Sequence, residues 1–215
     1  MKKFMALLLV AGMTLSLTAC GGSTDTAKTD QADGKDTFTV GFDQDFPPFG
    51  YVGDDGEFTG FDIEMATECA ARMGKKIVLQ PIDWDAKDME LEAGTIDCIW
   101  NGFTMNGRED QYTWTDPYMD NSQVVVVKKD SGINTLADLA GKVVEVQKES
   151  AAETALNDEE HADLMASFAQ LLSVGEYNTA FMDLESGAVD AVAIDIGVAQ
   201  FQICLLYTSD AADDR

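Results

Sequence analysis

Basic residues are scarce in this chain of 215 residues: 14 Lys and Arg stand against 39 Asp and Glu, for a formal charge of −25. Such a polyanion has no broad face with which to neutralise phosphates, and no Lys/Arg cluster interrupts it, which argues against a nucleic-acid partner. Histidine is scarcer still. The single His161 lies in the acidic run Asn157-Asp158-Glu159-Glu160-His161 and reads as a helix-surface residue, which rules out a His-rich zinc centre and argues against a Ser-His-Asp triad. No metal and no cofactor are expected. Cysteine is limited to four residues; Cys69 on the apolar face of a helix and Cys98 in a strand read as buried free thiols, with a disulfide as the alternative. Apolar side chains are present in ordinary measure, at 46%, which excludes wholesale disorder, and the length suits one domain or two small ones.

The amino terminus has its own grammar. Lys2-Lys3 precede an apolar run over 4–17, too short to span a bilayer comfortably, and small residues follow. This marks an export signal. Its ending, Leu17-Thr18-Ala19-Cys20, resembles the lipobox of bacterial lipoproteins, which implies a signal peptide over 1–20 and a lipid anchor on Cys20. Residues 21–36 are Gly, Ser, Thr, Asp, Ala and Lys without apolar period, and read as a flexible linker.

The body alternates strand and helix patterns. Strands are predicted over 38–42, 76–82, 96–100, 122–128, 143–146, 171–174 and 189–194. Helices are predicted over 61–73, 84–93, 135–139, 150–156 and 177–186, several of them stopped by Gly. This order implies α/β architecture with mainly parallel sheets. One junction occurs twice. Leu91-Glu92-Ala93-Gly94-Thr95-Ile96-Asp97-Cys98-Ile99 matches Leu184-Glu185-Ser186-Gly187-Ala188-Val189-Asp190-Ala191-Val192, a helix end, a Gly suited to positive φ, and a strand entering a sheet. The repeat suggests two similar lobes, 37–125 and 126–203, with a ligand cleft between them.

A family resemblance rests on an ordered set of segments. These are Val40-Gly41-Phe42-Asp43-Gln44-Asp45-Phe46-Pro47-Pro48-Phe49, Gly60-Phe61-Asp62-Ile63-Glu64, Asp97-Cys98-Ile99-Trp100-Asn101-Gly102-Phe103-Thr104 with Arg108, Trp114-Thr115-Asp116-Pro117-Tyr118, Leu136-Ala137-Asp138-Leu139-Ala140-Gly141-Lys142, and Ala193-Ile194-Asp195. The set resembles the family 3 extracellular solute-binding proteins, the polar amino-acid substrate-binding lipoproteins of ABC importers, over about 37–203. The resemblance implies a two-lobed, type II periplasmic-binding-protein fold with the ligand in the inter-lobe cleft. It also implies a free amino acid as ligand, an ABC permease as partner, and a monomer tethered to the outer face of the cytoplasmic membrane.

The residues offer the chemistry such a ligand needs. A free amino acid presents a carboxylate and an ammonium on one carbon, so the site requires a fixed cation, a fixed anion and neutral donors. Arg108 is the candidate cation, with an ion pair to Glu109 or Asp110 as the alternative. The turn Met105-Asn106-Gly107 is one residue shorter than the family pattern, which alters its approach. Asp195, at the end of a buried strand, receives the ammonium by resemblance, or caps the helix that follows. Thr104 and Ser150 offer hydroxyls, and Asn101 and Gly102 main-chain groups. Glu149 stands where the family has glycine before Ser150. Phe46 and Trp84 match the aromatic walls, with core as the alternative; Phe49, Phe61, Phe103 and Trp114 read as core. Asp43 orients a loop or touches a polar ligand side chain.

The reading is a non-catalytic receptor that closes by hinge motion through strands near 124–128. The alternatives are a dehydratase-like enzyme and an amino-acid sensor on the same scaffold. Residues 204–215 match neither a family return strand nor a helical period, and read as the foreign end of a truncated frame that leaves the first lobe incomplete.

Overall fold

The computed structural model describes residues 36–213, with side chains as far as Cys204. The export signal, Cys20 and nearly all of the 21–36 linker lie outside the described residues. No described helix is long and apolar enough to cross a membrane.

The first lobe is built on β1 (Thr37–Phe42), β5 (Lys76–Pro81) and β6 (Cys98–Ile99), all parallel in the order β5-β1-β6. The pattern TFTVGF buries Val40 and Phe42 fully, as expected of a central strand covered on its inner face. Between β1 and β5 runs a hairpin region that the sequence patterns do not reveal. It comprises β2 (Asp45–Phe46), β3 (Gly50–Val52) and β4 (Phe58–Thr59), an antiparallel sheet of very short strands. Helix α1 (Phe61–Arg72) follows, with Asp62 and Glu64 in its first turn, where negative charge suits the helix dipole. A single 3₁₀ turn, Trp84–Ala86, leads into α2 (Lys87–Ala93).

The second lobe carries a four-stranded sheet in the order β7-β10-β8-β9, from β7 (Gln123–Val127), β8 (Val143–Gln147), β9 (Gln170–Val174) and β10 (Ala191–Asp195). Pairing is parallel except between β7 and β10. One face packs on α5 (Tyr177–Ser186) through Ala180, Phe181 and Leu184, and receives Phe46 and Phe49 from the first lobe. The other packs Val144, Val146, Ala191 and Ala193 on α3 (Ala151–Leu156), with Leu164 of α4 (Ala162–Ser167) alongside.

The repeated junction is a true structural repeat. Gly94 and Gly187 end α2 and α5 in the left-handed conformation, at φ 69° and 83°, each closing its helix with a backbone bond. The Asp three residues on then clips a neighbouring strand twice. Asp97 N–H donates to Thr39 O (2.7 Å) while its carboxylate accepts from Thr39 N–H (2.8 Å); Asp190 N–H donates to Val143 O (2.9 Å) while its carboxylate accepts from Val143 N–H (2.9 Å). Each lobe is pinned by the same device.

Several expectations change. The boundary at 125/126 cuts β7, whose five residues all pair with β10, Gln123 opposite Asp195 through Val127 opposite Ala191. The chain therefore changes lobes upstream of β7, through exposed, irregular residues 115–122, rather than within 124–128. Helix α6 (Ile196–Asp213) carries the backbone of 204–213, so that part of the tail is helical: after Gly197 neither Gly nor Pro interrupts it. Phe61 is 43% exposed on α1, and is not core. His161 is half-buried in a 3₁₀ turn, Glu159–His161. Cys69, Cys98 and Cys204 are free thiols, and burial pushes Cys98 up to about 12, with Asp97 and Cys69 adding to the shift.

Candidate functional site

Eight of the nine predicted site residues meet in one cavity where the lobes face each other. Phe46, Trp84, Asn101, Gly102, Thr104 and Arg108 come from the first lobe and its crossover; Ser150 and Asp195 come from the second. Phe103, Gln147 and Ala151 complete the lining. The cavity holds about 20 Å³, room for one water. It adjoins a cleft of about 380 Å³ that shares Gly102, Phe103, Thr104 and Asp195 with it.

Arg108 is 8% exposed. A turn places it, Arg108 N–H donating to Met105 O (2.9 Å). Its guanidinium lies 5.2 Å from the Phe103 ring centre, and Nη2 donates to Glu149 O (2.9 Å) and Thr154 Oγ1 (3.1 Å). It reaches across to the second lobe rather than pairing with Glu109 or Asp110. The shorter turn still delivers the cation to the cavity.

Asp195 is 5% exposed at the end of β10. It accepts from Gln123 Nε2 (2.7 Å), opposite it in β7, and from Asn121 Nδ2. Burial raises its pKa, while the bonds from Asn121 and Gln123 and the Arg108 charge act the other way. Ile196 N–H, at the head of α6, donates to Ser122 O (2.9 Å). The Asp195 carboxylate thus faces the crossover and the cavity. Cation and anion stand on opposite lobes, both buried, around one small space.

Several predicted groups are already engaged. Asn101 Oδ1 accepts from Asp43 N–H (2.9 Å), and Gly102 N–H donates to Tyr118 Oη (3.2 Å), whose hydroxyl in turn donates to Asp62 (2.8 Å). Thr104 Oγ1 accepts from Asn121 Nδ2 (3.1 Å), tying it to the anion. Ser150 Oγ caps α3 by accepting from Glu153 N–H (3.1 Å). This is a helix-cap role in addition to its place in the lining.

The aromatic residues resolve as follows. Phe46 is both wall and core: it lines the cavity and also stacks on Phe49 with ring centres 5.6 Å apart. Trp84 is 6% exposed, meets Phe103 edge-to-face at 5.0 Å and donates its indole N–H to Glu149 O (3.3 Å). Phe103 and Trp114 are half-buried members of a ring cluster with Tyr112 rather than core. Phe49 is core, as expected.

Asp43 stands apart from the cavity. Its carboxylate accepts from Asp45 N–H (2.8 Å) and from Gln147 Nε2 (2.6 Å), so it orients its own loop and grips the second lobe. The sequence reading missed Gln147, Lys87, Asn121 and Gln123. No motif marks them, although the departure at Glu149 pointed to the place where Lys87 binds.

The profile of bacterial extracellular solute-binding proteins, family 3, matches residues 38–181. The arginine-binding extracellular protein ArtP of Bacillus subtilis (strain 168) is 36% identical over 148 residues, 68% of this chain and 56% of that protein. This chain thus spans little more than half of that relative. Among solved structures, an ABC uptake transporter substrate binding protein from Streptococcus pneumoniae with bound histidine is similar at 36% identity and TM-score 0.74, over 78% of this chain and 69% of that one. The ancestral amino acid-binding protein AncCDT-1, a precursor of cyclohexadienyl dehydratase, is similar at 30% identity and TM-score 0.73, over 80% and 75%. The ordered motifs, the family match over 38–181 and these identities converge: the chain belongs to the bacterial extracellular solute-binding proteins, family 3.

Proposed function

We propose that this chain captures a free polar amino acid between its lobes outside the cytoplasmic membrane and presents it to an ABC importer permease, without chemical turnover. The observation that carries this reading is the pair Arg108 and Asp195, buried on opposite lobes around one cavity. A guanidinium can grip the ligand carboxylate, a carboxylate can receive its ammonium, and the low-dielectric surroundings of Phe46, Trp84 and Phe103 strengthen both. Thr104 and Ser150 supply the hydroxyls beside them. A cavity of about 20 Å³ is too small for an amino acid, so capture requires the lobes to part about residues 115–122 and close again. Cys20 carries the lipid anchor and the receptor acts as a monomer.

Isothermal calorimetry against the proteinogenic amino acids tests the reading. Micromolar or tighter binding of one of them, lost in Arg108→Ala and in Asp195→Ala, supports it. Silence across the panel overturns it, and turnover of the bound compound seen by proton NMR replaces it with the enzyme reading that AncCDT-1 brings to mind. Palmitate labelling abolished by Cys20→Ala tests the anchor.

A further inference from the structure

Among the described residues Glu149 is the one non-glycine residue with positive φ, at 57°. A side chain crowds its own backbone in that region, so the surroundings must hold the residue there. Those surroundings come largely from the first lobe. The Glu149 carbonyl accepts from Arg108 Nη2 (2.9 Å) and from the Trp84 indole (3.3 Å), and its carboxylate meets Lys87 Nζ at 2.6 Å. Lys87 is itself 3% exposed and lies 5.2 Å from the Trp84 ring centre. An ammonium this deeply covered persists only when paired, and its partner belongs to the other lobe. Beside it Lys148 meets Asp85 at 2.6 Å, a second ion pair between the lobes with its charges the other way round.

We propose that Lys87 and Glu149 form a latch across the cleft that holds the Arg108 guanidinium in place and sets how readily the two lobes part. Parting the lobes strips the buried ammonium of its anion and removes the two donors that fix the Glu149 carbonyl. Closing restores all three contacts together, and the same carbonyl then aims Arg108 into the cavity. Lys87 and Glu149 are positioning residues, one step removed from any ligand. The effect on ligand release rests on the amino-acid-binding reading, whereas the effect on closure does not.

The chemistry of position 149 separates backbone from charge. Glu149→Gly accepts φ 57° without crowding and keeps the carbonyl while deleting the carboxylate; Glu149→Ala deletes the carboxylate and keeps the crowding. Stopped-flow tryptophan fluorescence on the full chain, with L-arginine and L-histidine as probes, measures association and dissociation for both, for Lys87→Met, Lys87→Arg and the double variant Lys87→Met/Glu149→Gly. Small-angle X-ray scattering of the ligand-free chain reads closure directly, and thermal melts by circular dichroism confirm that each variant is folded.

Lys87→Met and Glu149→Gly should each raise the dissociation rate about tenfold with association nearly unchanged, as loss of a buried charge partner does. The double variant should dissociate little faster than the worse single one, because both remove the same interaction. Lys87→Arg should restore slow release, Glu149→Ala should release faster than Glu149→Gly, and the ligand-free Lys87→Met chain should have a larger radius of gyration. Unchanged dissociation with lowered melts, or fully additive effects, overturns the latch and assigns the pair to stability alone. If neither probe binds the wild-type chain, the scattering decides: an unchanged radius in Lys87→Met overturns the proposal, and an increased one supports it while the amino-acid reading is left to its own test.

Discussion

Asp43→Asn should make the protein progressively more stable than wild type as pH rises from 4 to 7. Asp43 is 4% exposed, and burial pushes its pKa from the usual 3.8 to about 6 against the pull of its bonds from Asp45 N–H and Gln147, with the Asp45 and Glu176 charges adding to the rise. Between those two values the native protein holds a proton that the unfolded chain has lost, so stability is present below pH 4 and is lost as pH climbs through 6. At 1.36 kcal/mol for each pKa unit, a rise from 3.8 to about 6 amounts to about 3 kcal/mol by pH 7. Asparagine is neutral throughout and carries no such dependence. Its altered hydrogen bonds to Asp45 and Gln147 contribute an offset that does not vary with pH. The buried Asp62, also raised to about 6, and Asp195 are common to both proteins and cancel in the difference. Urea unfolding followed by circular dichroism at pH 4, 5, 6 and 7 gives the measurement. The stability of the variant relative to wild type should grow by about 2.5 kcal/mol over that range, the remainder of the change lying below pH 4. A difference that is flat with pH, or that shrinks as pH rises, would refute the argument.

Other perturbations follow from single contacts. Gly60→Ala should destabilise by more than about 2 kcal/mol, since φ is 125° and the new Cβ would stand 2.3 Å from the Phe49 carbonyl oxygen; a urea midpoint within error of wild type would count against that packing. Ile194→Ala, fully buried in β10, should cost about 2–5 kcal/mol in the same assay. Ser150→Ala removes the side-chain cap of α3 and should cost about 1 kcal/mol, with ligand affinity reporting separately on its place in the cavity. Gln147→Ala breaks the bonds to Asp43 and to Gly175 O, and should lower ligand affinity by speeding release more than by slowing capture in stopped-flow measurements.

Much of the molecule was already legible as local pattern. The strand β1, the Gly stops at 94 and 187 and the repeated Leu-Glu-small-Gly junction all express backbone rules that act over a few residues, and they appear in the structure where the sequence puts them. The ordered motifs likewise located Arg108 and Asp195, because basic residues are few and both lie just at or past the end of a strand, where the motifs put a ligand's charged partners. The two- and three-residue strands β2 to β4 escaped notice because their pairing, rather than their own propensity, makes them strands.

What only the tertiary structure decided is which groups meet across the cleft. Lys87 finds Glu149 62 residues away and Gln147 finds Asp43 104 residues away. No periodicity records such a meeting, because the partners lie on separate lobes whose approach is governed by the crossover at 115–122 and by the combined burial of Phe46 and Phe49 against the second lobe. The same approach turned Glu149 from an apparent misfit into the residue on which Arg108, Trp84 and Lys87 converge. The sequence by itself determined most of the longer elements, their order and the charged pair that a ligand would need. The packing of one lobe on the other determined how that pair is held, since hydrogen bonds and ion pairs depend on distances that exist only once the chain has folded.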